Sequence, residues 1–123
     1  ILALMGMQAT AISNTSQAKY RSDASQFAGQ MLSQMWLDPN NIASYNYSGG
    51  SSPSAMVNGW VARIAATLPG TSATTNPPRV TSVCATDSSL KYACDVTVIV
   101  YWIAPNETGA PHNFTTASRI AFN

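Results

Sequence analysis

Apolar residues recur at helical spacing from the start of the chain, through Met5, Ala9 and Ile12, then Tyr20, Ala24, Phe27, Ala28, Met31, Leu32 and Met35. No proline interrupts the pattern until Asp38-Pro39, so the spacing predicts one helix from about Leu2 to Trp36. At 1.5 Å per residue it would be roughly 50 Å long, whereas a globule of this size has a radius of gyration of only about 14 Å. One end must project. Gln8 to Gln17 is mostly small and polar, while Tyr20 to Trp36 carries a wide apolar stripe suited to a core. The projecting end is therefore the first, with residues 1–12 as an apolar stub that needs a partner.

After a loop-like stretch, NNIASYNYSGGSSP, helical spacing returns in Met56, Val57, Trp60, Val61, Ile64, Ala65 and Leu68. Pro53 or Ser54 starts this second helix and Pro69-Gly70 ends it. The period then changes to two. RVTSVC (Arg79 to Cys84) and CDVTVIVYW (Cys94 to Trp102) read as antiparallel strands, and a third strand from about Thr115 to Phe122 follows the polar turn APNETGAPHN. In the second strand Val96, Val98, Val100 and Trp102 share the face assigned to the core, and Asp95, Thr97, Ile99 and Tyr101 share the other. The predicted class is α+β, with a long N-terminal helix and a short second helix packed on one face of an antiparallel sheet of three or more strands. Residues 1–37 form the long helix, and residues 38–123 form a head that the second half of the helix completes. The expected core includes Phe27, Met31, Met35, Trp36, Trp60, Val98, Val100 and Trp102.

Composition sharpens this picture. Charged residues are only 9% of the 123 positions, far below the usual quarter, while Ser, Thr and Asn fill 36 of them. The surface must be rich in hydroxyls and amides. A net charge of +1 from scattered residues provides no basic patch, which argues against nucleic acid as a main partner. Cys84 and Cys94 are the two cysteines. They do not form a redox CxxC and make a poor zinc set beside a single histidine, so a disulfide at the ends of paired strands is the better reading and two buried thiols the other. No run of about 20 apolar residues is present to span a bilayer alone. Ile1 is not a translation start, so the chain is expected to be a processed product or a fragment, with Ile1 to Met7 ending a longer apolar segment.

Catalytic constellations find little support. His112 is the single histidine, the acidic residues Asp23, Asp38, Asp87, Asp95 and Glu107 are dispersed, and no phosphate-cradling or zinc-hydrolase motif occurs. Asp38 to Asn41 offers oxygen ligands like a weak calcium turn, but a helix stop explains it more simply. Four N-x-[ST] sequons, at Asn14, Asn46, Asn106 and Asn113, are unremarkable in so hydroxyl-rich a chain. Tyr45 and Tyr47 are expected to pack over the edge of the core, with an exposed sugar-stacking surface as the second reading. The chain reads as an interaction subunit, not an enzyme, with no cofactor expected.

Three stretches together resemble the PilV type of type IV minor pilin. LALMGMQATAISNTSQAKYRSDASQFAGQMLSQM resembles the junction where that family's hydrophobic helix enters its globular domain, including the step at Tyr20, Arg21 and Ser22. GWVARIAATLPG is similar to the family's short Trp-containing helix, and CDVTVIVYW to its Val-rich strand ending in Trp. These matches cover a little over half of the chain. The family's basic leader, its small residue at the cut and the Phe-Thr-Leu-Ile-Glu that follows do not occur here, so its docking glutamate maps to no residue.

The resemblance implies an N-terminally truncated, non-enzymatic subunit that helps to prime pilus assembly and joins the pilus tip complex. Ile1, Leu2, Leu4, Met5 and Ile12 would make helix contacts in the filament core. Other minor pilins and major pilin subunits would be partners, together with the inner-membrane assembly platform, reached through the missing N-terminal segment, and a possible tip adhesin. The head would face the periplasm from the inner membrane before assembly and the exterior afterwards. The alternatives are a minor pseudopilin of a type II secretion system, and a secreted carbohydrate-binding or adhesive module using Tyr45, Tyr47 and His112.

Overall fold

The computed structural model describes residues 2–86, 92–105 and 107–122, and the side chains of 17–85, 93–105 and 107–121. A helix α1, Leu2–Leu37, leads into a 3-10 segment, Pro39–Tyr45, and a second helix α2, Ala55–Thr67. Three strands follow: β1, Arg79–Thr86; β2, Tyr92–Trp102; and β3, His112–Phe122. They form one antiparallel sheet in the order β1-β2-β3. The layout is α+β.

Helix α1 runs one residue past the expected end and stops where Pro39 follows Asp38, the residue before a proline being pushed out of helical geometry. Its 36 residues span roughly 54 Å. From Ala24 onward it buries Ala24, Ala28, Met31 and Met35, a spacing of three to four residues that keeps one face inward. Trp36, expected in the core, is 49% exposed. It follows Met35 by one residue, a rotation of about 100° that carries its ring off the inward face.

The second helix starts at Ser54, whose Oγ accepts from Val57 N at 3.3 Å. Asn58 ties the preceding loop to it by accepting from Ser52 N at 2.8 Å and donating to Ser52 O at 2.7 Å. Gly70 ends the turn beyond α2 with φ of +72°. A Cβ placed there would lie 2.8 Å from the Ile103 Cβ and 3.0 Å from its backbone nitrogen, so both conformation and space require glycine.

All three strands are longer than the sequence pattern marks. β1 reaches Thr86, β2 begins at Tyr92 and β3 begins at His112, because the unbroken β2–β3 register carries pairing to His112↔Trp102. The inward face of β2 follows the expected alternation: Cys94, Val96, Val98 and Val100 are fully buried and Trp102 is 1% exposed. They share one buried cluster with the inward residues of α1, with Val57, Trp60, Val61 and Ile64 of α2, and with Val80 and Ile120 of the flanking strands. Phe27 lies partly buried against it.

Cys84 and Cys94 form a disulfide. They sit opposite each other within the ladder, with the pair Thr86↔Tyr92 beyond them, and not at the strand ends. Val80 and Tyr47 exchange both backbone bonds at 2.9 Å, so the backbone of Val80 points away from β2. Alternation along the strand then places Cys84 in a non-hydrogen-bonded pair, the closer of the two kinds, and its Cα lies 4.0 Å from that of Cys94.

Candidate interaction surface

At the end of the sheet where β2 closes on Trp102, helix α1 meets the hairpin of β2, its connection and β3, some 85 residues away in sequence. Trp102 Nε1 donates to Gln17 Oε1 at 3.0 Å, and Gln17 Nε2 donates to Glu107 Oε1. The other Glu107 oxygen meets His112 Nε2 at 2.7 Å. The imidazole stacks on Trp102 with ring centroids 5.7 Å apart, and the Arg21 guanidinium lies 5.5 Å from the centre of the Trp102 ring. Trp102 itself is buried, whereas the His112 and Glu107 side chains are 41% and 33% exposed.

This arrangement is a clasp. Its indole N–H is satisfied by Gln17, its carboxylate by two donors, and its cation by an aromatic face. It fastens α1 to β2, to the β2–β3 connection and to β3 near Gln17, seven residues before Ala24, the first fully buried position among the described side chains of the helix. Sequence spacing does not reveal it, since Gln17 and Trp102 are 85 residues apart. His112 stacks on Trp102 and pairs with Glu107 here.

Tyr45 and Tyr47 are each 5% exposed, which removes the exposed aromatic surface on which the glycan-binding alternative depends. Tyr45 donates to Asp38 Oδ2 at 2.9 Å and accepts from Gln34 Nε2 at 3.4 Å, and Tyr47 donates to Gly50 O at 2.8 Å. Burial pushes both phenols above their ordinary range, and Asp38 beside Tyr45 adds to the rise. Asp38 also accepts from Asn41 Nδ2 at 2.8 Å, so both of its oxygens are engaged at the helix stop. Among the described residues no three His, Cys, Asp or Glu side chains gather as a metal set.

An open cleft of about 400 Å³ lies between the loop at Asn46 to Pro53 and Val80 to Ser82 of β1. Its lining is hydroxyl, amide, proline, backbone and the edge of Tyr47, with no acid, base or histidine. Such a lining binds water well and supplies no general acid or base.

The residues assigned to filament-core contacts, Ile1, Leu2, Leu4, Met5 and Ile12, lie outside the described side chains. Of the assigned core set, Met31, Met35, Trp60, Val98, Val100 and Trp102 are buried, Phe27 is partly buried and Trp36 is exposed. Among the described residues no helix is long and apolar enough to cross a membrane. Compared with known protein families, with curated proteins and with solved structures, the chain matches none.

Proposed function

We propose that this chain is the head and helix junction of a pilin-class filament subunit of the minor, PilV type, without enzymatic activity. The observation that carries the reading is the division of α1. Its second half contributes Ala24, Ala28, Met31 and Met35 to the cluster shared with the sheet, while its first half continues for some twenty residues beyond. In this reading both helices lie on one face of the sheet, the clasp at Gln17, Trp102, Glu107 and His112 sets the angle at which the helix leaves the head, and residues 1–12 join a bundle of like helices. Burial of their apolar surface, at about 25 cal/mol per Å², would supply the driving term for assembly. The Cys84–Cys94 bridge suits the oxidising side of a membrane, where the head would stand before export.

Deleting the gene in the source organism is expected to abolish twitching motility and to leave exoprotein release intact. Loss of release with intact motility would move the chain to the pseudopilins of type II secretion, which share the long helix and α+β head. A deletion that affects neither process would overturn the pilin-class reading altogether.

A further inference from the structure

The two edges of the sheet differ. Along β1, Tyr47 exchanges both backbone bonds with Val80, and Asn46 accepts from the Ser82 hydroxyl, so the loop after the 3-10 segment already occupies that end of the edge. Along β3 no segment outside the sheet makes such a backbone bond among the described residues. The β2–β3 ladder is unbroken from His112 to Phe122, with no bulge and no proline in β3. Because the backbones of Cys94, Val96, Val98 and Val100 point away from β1, their partners Ile120, Ser118, Thr116 and Phe114 point toward β2. Alternation then turns the N–H and C=O groups of Asn113, Thr115, Ala117, Arg119 and Ala121 outward. These groups make no other backbone bond among the described residues, and all five residues are exposed. One arginine is the sole charge on this edge, where sheet proteins usually place several charges, a proline or a bulge.

We propose that this edge pairs with β3 of a second copy, antiparallel about a two-fold axis through Ala117, to give a continuous six-stranded sheet. The strand is complementary to itself in that register. The outward backbone groups pair Asn113 with Ala121 of the second copy, Thr115 with Arg119, and Ala117 with Ala117. On the inner face Phe114 stands opposite Ile120 and Thr116 opposite Ser118, matching apolar with apolar and hydroxyl with hydroxyl. No charge faces a like charge. Pairing β3 with β3 is isologous and closes at the dimer, whereas a head-to-tail chain of copies would need the β1 edge, where Tyr47 already takes both outward groups of Val80. The proposal is independent of the filament reading. A two-fold axis points the two α1 helices in opposite directions, so the pairing belongs to the chain outside a filament.

The position on the axis provides the test. Sedimentation of the whole chain should show a dimer that dissociates on dilution. Ala117→Lys and Ala117→Glu each set two like charges face to face and should weaken dimerisation at least tenfold, whereas an equimolar mixture of the two should dimerise again. Ala117→Pro keeps the ladder to β2, since the N–H it removes points outward, and should give a folded monomer by circular dichroism. A wild-type chain that stays monomeric at about 1 mM overturns the proposal. So does a dimer that survives all three substitutions, which would place the contact elsewhere, or a mixture of the charged variants that fails to pair.

Discussion

At the scale of single residues, the core depends on a few large side chains whose polar atoms are satisfied. Trp60 is fully buried and donates from Nε1 to Phe27 O at 2.9 Å, across 33 residues of chain. Trp60→Phe keeps an aromatic body but loses that bond and part of the filled volume, and is expected to cost about 2 kcal/mol in urea unfolding. An unchanged midpoint would mean that the cluster repacks freely. The buried phenols make a pH prediction. Because burial raises Tyr45 and Tyr47, the folded chain holds protons that the unfolded chain releases above a pH of about 10. Stability is therefore whole below that value and falls as the pH rises through the raised folded values. Denaturant midpoints at a pH of about 8 and about 11 should diverge, and Tyr47→Phe should narrow the gap. Both tyrosines pack over the edge of the core, as the sequence reading expects, although loop composition does not reveal the backbone bridge from Tyr47 to Val80 that holds the loop against β1.

At the scale of elements, strong periodicity was the legible part. The alternation of Val96, Val98, Val100 and Trp102 marks the buried face of β2 directly, since a strand exchanges faces at every residue. The three-to-four spacing of Ala24, Ala28, Met31 and Met35 does the same for α1. Trp36 misled because its hydrophobicity says nothing of its angle around the helix, and the clasp stayed hidden because it joins residues from opposite ends of the chain. The disulfide joins the two strands at a separation of 10 residues. In the chain-entropy treatment a loop of that size stabilises by roughly 2.5 to 3 kcal/mol. Replacing both Cys84 and Cys94 by serine should lower the melting temperature under oxidising conditions by several degrees; an unchanged value would mean that the ladder alone holds the hairpin. Gly70→Ala should also destabilise, by about 1 to 3 kcal/mol, through its positive φ and the contact with Ile103.

At the scale of the whole molecule, the question is whether α1 is one structural unit or two. Every fully buried position on the described part of the helix lies between Ala24 and Met35, and the clasp extends the attachment back to Gln17. If the first half serves contacts with other chains, the head should scarcely depend on it. A chain beginning at Gln17 is then expected to fold cooperatively, with an unfolding free energy within about 1 kcal/mol of the parent, because isolated helical turns contribute little stability of their own. On the proposed filament reading, the same deletion should abolish incorporation into filaments. Adding Gln17→Ala to the shortened chain removes the acceptor of Trp102 and a donor to Glu107, which should cost about 1 to 3 kcal/mol and raise amide exchange along Ala18 to Asp23. A loss of several kcal/mol from the deletion alone would place the first half of α1 inside the head's own stability, leaving no free helix surface for a partner.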